Sequence, residues 1–408
     1  SSFVGFRRAP YFIGNAGLKE QMEFAIAFDK EGYSYQSTFT RMEMHKGLSH
    51  ANFPIAFGYN GASHFTSSLE HELIEEMSHL GLPTSQSVAN YTDRNVILDS
   101  LFGVSRFMMD GDEKRVYADV RGMYAKEGKV KDFVVYRNPY AFSLGYLTNE
   151  NTTTNIAFEK NQPVANLNQL LQVIGLSGTN ALTEVSVGEP VTTNLTKGPE
   201  KYTLTNEAEP AKIEWKFNLQ PNKLYFVEIP ERQAGSVIKS QVMLNGIGYP
   251  YENRFHENQL WTIGNGNLDQ MLTFAIENAK VKEWDLRGFK FYSIDITTLA
   301  NALTQYKKAN DITIDAYSNA MVKAHVTVTN GEQSFATFTI PYHSGWSVTV
   351  DGKKQEVKKA LGFFMGVSLT EGEHEIVWTY TPPGLHLGML ISISSLVLLV
   401  FLWKKHKN

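Results

Sequence analysis

Leu385 to Trp403 reads LHLGMLISISSLVLLVFLW, 19 positions without one Asp, Glu, Lys or Arg. No other stretch narrows the possible folds so far. At the helical rise it reaches roughly 28 Å, about the thickness of a bilayer's hydrocarbon core. In lipid each backbone donor must be paired within its own segment, so the run is expected to be a helix crossing a membrane. Lys404, Lys405 and Lys407 follow at once, whereas Thr381 to Gly384 carry no positive charge. The positive-inside bias then places residues 404–408 in the cytoplasm and the long preceding body outside the cell.

That body is rich enough to fold. The chain has 408 residues, 42% hydrophobic and 20% charged, so buried cores are affordable in more than one domain. Its 38 basic and 42 acidic residues give a net charge of -4, which offers no broad electrostatic footprint for nucleic acid. Cysteine is absent, which excludes disulfides, thiolate catalysis and Cys-held metals, and suits an exported bacterial surface. Residues 1–16 hold no apolar run of signal-peptide length, so an export signal, with earlier membrane helices, is expected upstream of Ser1.

Periodicity divides the body. A helix is expected around Leu18 to Phe28, and Phe53 to Phe65 reads as a loop or short strand turning at Asn60-Gly61. Ser67 and Ser68 offer caps for a helix over Leu69 to Leu80, and Asp93 for one over Arg94 to Phe102. Alternation over Val104–Met109, Arg115–Val120 and Val130–Tyr136 predicts strands, with Asp110, Asp112 and Glu113 at a hairpin turn. A further helix is expected near Asn166–Ile174. From about Val185, six strand-like runs between Ile213 and Ile296 predict a β-sandwich. After a helix over Thr298 to Lys308 comes a second β unit, with type I′ hairpins expected at Asn330-Gly331 and Asp351-Gly352 because both central residues need positive φ. The fold class is therefore α+β. A mixed domain over 31–180 follows an atypical 1–30 and precedes a β-sandwich over 181–297. A helix plus hairpin-rich sandwich over 298–382 leads to the membrane helix at 385–403.

Chemical motifs are few. His71, Glu75 and His79 share helical spacing, but a zincin needs His-Glu-x-x-His and Glu75 stands at the closing position, so no metal site is assigned. Gly61-Ala62-Ser63-His64-Phe65 lacks the closing glycine of a nucleophile elbow. There is no Walker loop. Gly246-Ile247-Gly248 and Gly264-Asn265-Gly266 sit among strands, so no cofactor is assigned.

Several strings together resemble the YfhO family of bacterial multi-pass membrane proteins. They are Arg41-Met42-Glu43, Gly58-Tyr59-Asn60-Gly61-Ala62-Ser63-His64-Phe65-Thr66-Ser67-Ser68, Leu101 to Phe107 (LFGVSRF) and Val135 to Ala141 (VYRNPYA). Ile340-Pro341-Tyr342, Gly345-Trp346, Val350 to Lys353, Gly372-Glu373-His374 and Tyr380-Thr381-Pro382-Pro383-Gly384 continue the series. The resemblance implies a GT-C-like glycosyltransferase that takes a sugar from undecaprenyl phosphate on the outer face and passes it to a cell-surface polymer such as lipoteichoic acid. It also implies a catalytic carboxylate in an early loop, upstream of this sequence. Within the matching strings, Arg41, Glu43, Tyr59, Asn60 and His64 are the candidates for contact with donor or acceptor. A passive glycan-binding module is the alternative. A surface hydrolase using the carboxylates and histidines of 70–79 is a third.

Overall fold

A computed structural model describes residues 15–34, 36–44, 52–65, 71–84, 88–89, 91, 94–231, 240–251, 257–278 and 282–407. The architecture is α+β. In the amino-terminal part, strands run in the order Arg41–Met44, Val104–Asp110, Phe133–Arg137, Ala125–Val130, with the first pair parallel and the others antiparallel. The helix Asn15–Lys30 lays Phe24 and Phe28 on this sheet, where Phe24 meets Phe57 at 5.3 Å and Phe133 at 5.7 Å between ring centroids. Aromatic edges against faces add to the apolar burial that holds this layer.

The first sandwich packs two antiparallel sheets. Strands 247–251, 240–244, 271–278, 211–218 and 191–193 form one, and 259–265, 223–229, 290–295 and 183–185 the other. Trp215, Phe274 and Phe291 fill its centre. The second sandwich sets 313–318, 321–328, 372–380, 346–350 and 353–355 against 358–360, 364–368, 335–341 and 145–148. Its last strand comes from far upstream: Gly145–Thr148 pairs with 335–338, Phe335 opposite Thr148. Phe338 and Trp378 are fully buried between the sheets. Asp295 caps the connecting helix Ile296–Asn310 by accepting from Thr298 N, and Leu299 and Leu303 point inward.

Several local expectations change. Asp351 and Gly352 take φ of 52° and 74°, the mirror-type turn, and Val350 pairs with Lys353 across it. Asn330 stays extended at φ -136° and its side chain accepts from Glu332 N, capping a short 3-10 turn. Strands 321–328 and 335–341 consequently enter opposite sheets instead of forming a hairpin. Arg115–Val120 is no strand; a 3-10 turn over Glu113–Arg115 and a helix over Ala118–Met123 occupy it, so Asp110 to Glu113 form a strand exit capped by Asp112. Phe53–Phe57 is a short helix, with strand only at His64–Phe65. The cap at the helix Val96–Leu101 is Asn95, which accepts from Ile97 N and Leu98 N at 3.1 Å. The proposed caps Ser67, Ser68 and Asp93 lie outside the described residues.

The chain ends in the helix Leu385–Lys407, whose apolar span Leu385–His406 has no stretch buried within the rest of the protein. By length and composition it is able to cross a membrane.

Candidate functional site

The site is built on the edge strand Arg41–Met44. The short helix Phe53–Phe57 ends at Gly58, whose φ of 69° turns the chain back toward this strand. The returning loop docks by one backbone and one side-chain bond: Met42 N donates to Asn60 O at 2.8 Å, and the Asn60 side-chain Nδ2 donates to Thr40 O at 3.1 Å. Gly61 is required here, because a Cβ would lie 2.5 Å from the Pro54 ring and 3.1 Å from Glu43 Oε1. Glu43 then pins the loop. Its Oε1 accepts from Ala62 N and from Ser63 N (2.8 Å), and its Oε2 accepts from Ser63 Oγ at 3.0 Å.

Above this loop opens a cleft of about 580 Å³. Of the five candidates named from sequence, Arg41, Tyr59, Asn60 and His64 line it together. Glu43 does not; it is 1% exposed and lies beneath, with both oxygens engaged by the loop. Sequence reasoning missed the lining residues Tyr33, Phe39, Arg106, Tyr317 and Asn319. Phe39 and Tyr317 meet edge to face at 5.2 Å, and Tyr317 OH donates to Gln36 O at 2.6 Å. Phe39 shares the strand-period face of Arg41, a signal open to reading. Tyr317 is nearly three hundred residues away and gave none.

Arg41 ties the wall to the second sandwich. Its guanidinium donates to Phe102 O, to Thr339 Oγ1 at 3.1 Å and to Thr339 O at 3.0 Å, and it stands 5.3 Å from the Phe39 ring. Loss of solvent pulls its pKa down to about 10, so it remains a cation at neutral pH. Arg106 is held by Glu127 through two bonds, 2.6 and 3.2 Å. Burial lowers the His64 imidazole below its ordinary value, favouring the neutral ring. Burial also pushes the Glu43 carboxyl up to about 7 against the pull of its three donors. A smaller, mostly apolar cavity of about 210 Å³, lined by Leu73, Met77, Phe102 and Phe363, shares Arg41 and His64 with the cleft. Chemically, the cleft combines aromatic faces, amides and two cations, and among the described residues its lining includes no Asp or Glu.

The helix His71–His79 does not assemble a metal face. His71 pairs with Glu75 at 3.0 Å on the exposed side, while His79 turns inward toward Glu76 (3.8 Å) and Glu257 (3.7 Å). The nearby Glu76 carboxylate, with Glu257 beyond it, raises the His79 imidazole pKa. A second polar cluster went unseen in the sequence. Fully buried Arg94 donates to Asp119 Oδ2 at 2.7 Å, to Asp99 and to Tyr124 OH at 2.8 Å, with Phe107 4.7 Å beneath it. Sealed from solvent, it serves structure.

The chain matches the family described as Bacterial membrane protein YfhO over residues 18–392. It belongs to the YfhO family. A relative from Bacillus subtilis (strain 168), Uncharacterized protein YfhO, is 22% identical over 384 residues, 87% of this chain. The chain spans 42% of that relative's length. Membership in a membrane-protein family accords with the apolar helix at 385–406. Among solved structures, a β-glucuronidase from Ruminococcus gnavus is 12% identical over 42% of this chain and 34% of its own, at a TM-score of 0.17. A conserved protein of unknown function from Pseudomonas aeruginosa PAO1 is 10% identical over 49% of this chain and 93% of its own, at 0.14. Scores that low carry no argument about this YfhO-family chain.

Proposed function

We propose that this chain is the part of a membrane glycosyltransferase that stands outside the bilayer and binds sugar in the cleft between the amino-terminal sheet and the second sandwich. The donor is a sugar on undecaprenyl phosphate and the acceptor a cell-surface polymer such as lipoteichoic acid. The body faces the exterior, and Lys404, Lys405 and Lys407 face the cytoplasm. What supports the reading is the cleft's composition. Phe39, Tyr59 and Tyr317 offer rings for sugar faces, Asn319 offers an amide, and Arg41, tied to Thr339, lends its wall positive charge. Among the described residues the lining holds aromatic, amide and cationic groups, a set that suits holding and orienting a sugar, and in this reading the acid–base carboxylate of transfer stands elsewhere in the enzyme.

The same lining favours the second reading, a glycan-binding module without a part in transfer. Calorimetric titration of the chain with soluble fragments of the cell-surface polymer tests what the two readings share. Phe39→Ala is expected to weaken binding about tenfold, ~1.4 kcal/mol, measured below the variant's own melting transition. Equal binding by wild type and variant would remove the cleft from consideration. Transfer assays on the full-length protein then separate the readings, because a mere binding module leaves the polymer's sugar content unaltered when Phe39 is lost.

A further inference from the structure

We propose that the turn His343–Trp346 and Tyr380 lie in the headgroup layer of the membrane crossed by the carboxy-terminal helix, and that this contact fixes the height of the second sandwich above the bilayer. The inference rests on the membrane helix, and not on the sugar reading.

The strand Gly372–Tyr380 ends five residues before the helix begins at Leu385. Five residues span at most about 17 Å, and the connection is shorter than that. Pro382 and Pro383 fix their own φ, Leu385 N bonds back to Pro382 O at 3.1 Å, and Gly388 N to Gly384 O at 2.8 Å. Tyr380 thus stands within reach of the polar layer, which adds about 5–8 Å on each side of the hydrocarbon core.

Around Tyr380 the protein gathers the residue types that occupy that layer. Trp346 lies 5.2 Å from its ring and His343 5.4 Å. Trp346 and Tyr380 are both only half-buried, and Ser344 at the tip of the turn is exposed. An amphipathic ring with a polar tip is most stable where one side is apolar and the other wet.

The turn is fastened to the chain that enters the helix. Thr381 N donates to Gly345 O at 2.9 Å, Gly345 N to His343 Nδ1 at 2.9 Å, and Trp346 N to His343 O at 3.0 Å. A Cβ on Gly345 would lie 2.5 Å from the Tyr380 ring and 2.7 Å from Thr381 O, so the approach depends on glycine. Because Tyr380 N also donates to Ala320 O at 2.9 Å, the clamp reaches the 319–320 turn. Asn319 and Tyr317 line the cleft, so the same contact sets the cleft's height.

The chain contains no cysteine, which permits a direct test. Ser344→Cys and Lys353→Cys, each labelled with one fluorophore, are reconstituted separately into vesicles of phosphatidylglycerol and phosphatidylethanolamine carrying a headgroup nitroxide lipid. Position 353 lies beyond the far end of the strand Trp346–Val350 and serves as the distant reference. Both side chains are exposed, so neither label disturbs the fold. Quenching at 344 at least about threefold stronger than at 353 is expected. Equal quenching at the two positions overturns the proposal. Neither result depends on whether the cleft binds a glycan, so failure of the sugar reading stays distinguishable.

Discussion

Glu43 is the residue whose titration this fold should report most clearly. Its folded pKa of about 7 lies above the ordinary 4.5, because burial penalises the charge more than three donors compensate. A raised carboxylate pKa means the folded state holds the proton more tightly than the unfolded one. Its stabilising effect is fully present below about 4.5 and is lost as pH rises through 7. Asp99 and Asp311, each raised to about 6 by burial, act in the same direction. Glu43→Gln keeps an acceptor for Ala62 and Ser63 and removes the charge. Melting followed from pH 4.5 to 8 should show a shallower decline for the variant than for wild type; an identical slope would mean Glu43 titrates normally. Arg94 is the opposite case. Arg94→Met leaves Asp99 and Asp119 buried without their cation, and a loss of about 3–5 kcal/mol in chemical denaturation is expected.

At the scale of elements, Asn95 is the sharpest case. Asn95→Ala removes both side-chain bonds to the first turn of the helix Val96–Leu101 and should cost about 1 kcal/mol, read as a lowered denaturation midpoint. Local chemistry made some elements readable in advance. Asp351-Gly352 has a positive-φ requirement that no partner elsewhere needs to enforce, and Asp295 caps its helix within three residues. Asn330-Gly331 looks alike on paper, yet its flanking strands are claimed by different sheets, and Asn330 does better capping a turn. Arg115–Val120 alternates like a strand, but its helix packs on the first sandwich, where Asn265 Nδ2 donates to Ala118 O at 3.4 Å. The candidate site was half legible for the same reason. Arg41, Tyr59, Asn60 and His64 sit in one short span, whereas Tyr317 and Asn319 reach the cleft only because the second sandwich folds back onto Arg41.

At the scale of the molecule, strand 145–148 and Arg41 join parts that the sequence presents as successive. The strand completes a sheet nearly two hundred residues downstream, and Arg41 bonds the backbone of that same sheet at Thr339. Periodicity reveals strands but not which sheet receives them, so this interlock was not readable from sequence. It makes the cleft walls one mechanical body with the sandwich that stands over the membrane helix. The most direct measurement of the account is the sugar content of the cell-surface polymer in cells whose full-length protein carries Phe39→Ala together with Tyr317→Ala. At normal protein abundance, a fall of about tenfold or more in polymer-bound sugar is expected. Wild-type sugar content in that double variant would contradict the assignment of the cleft to glycosyl transfer.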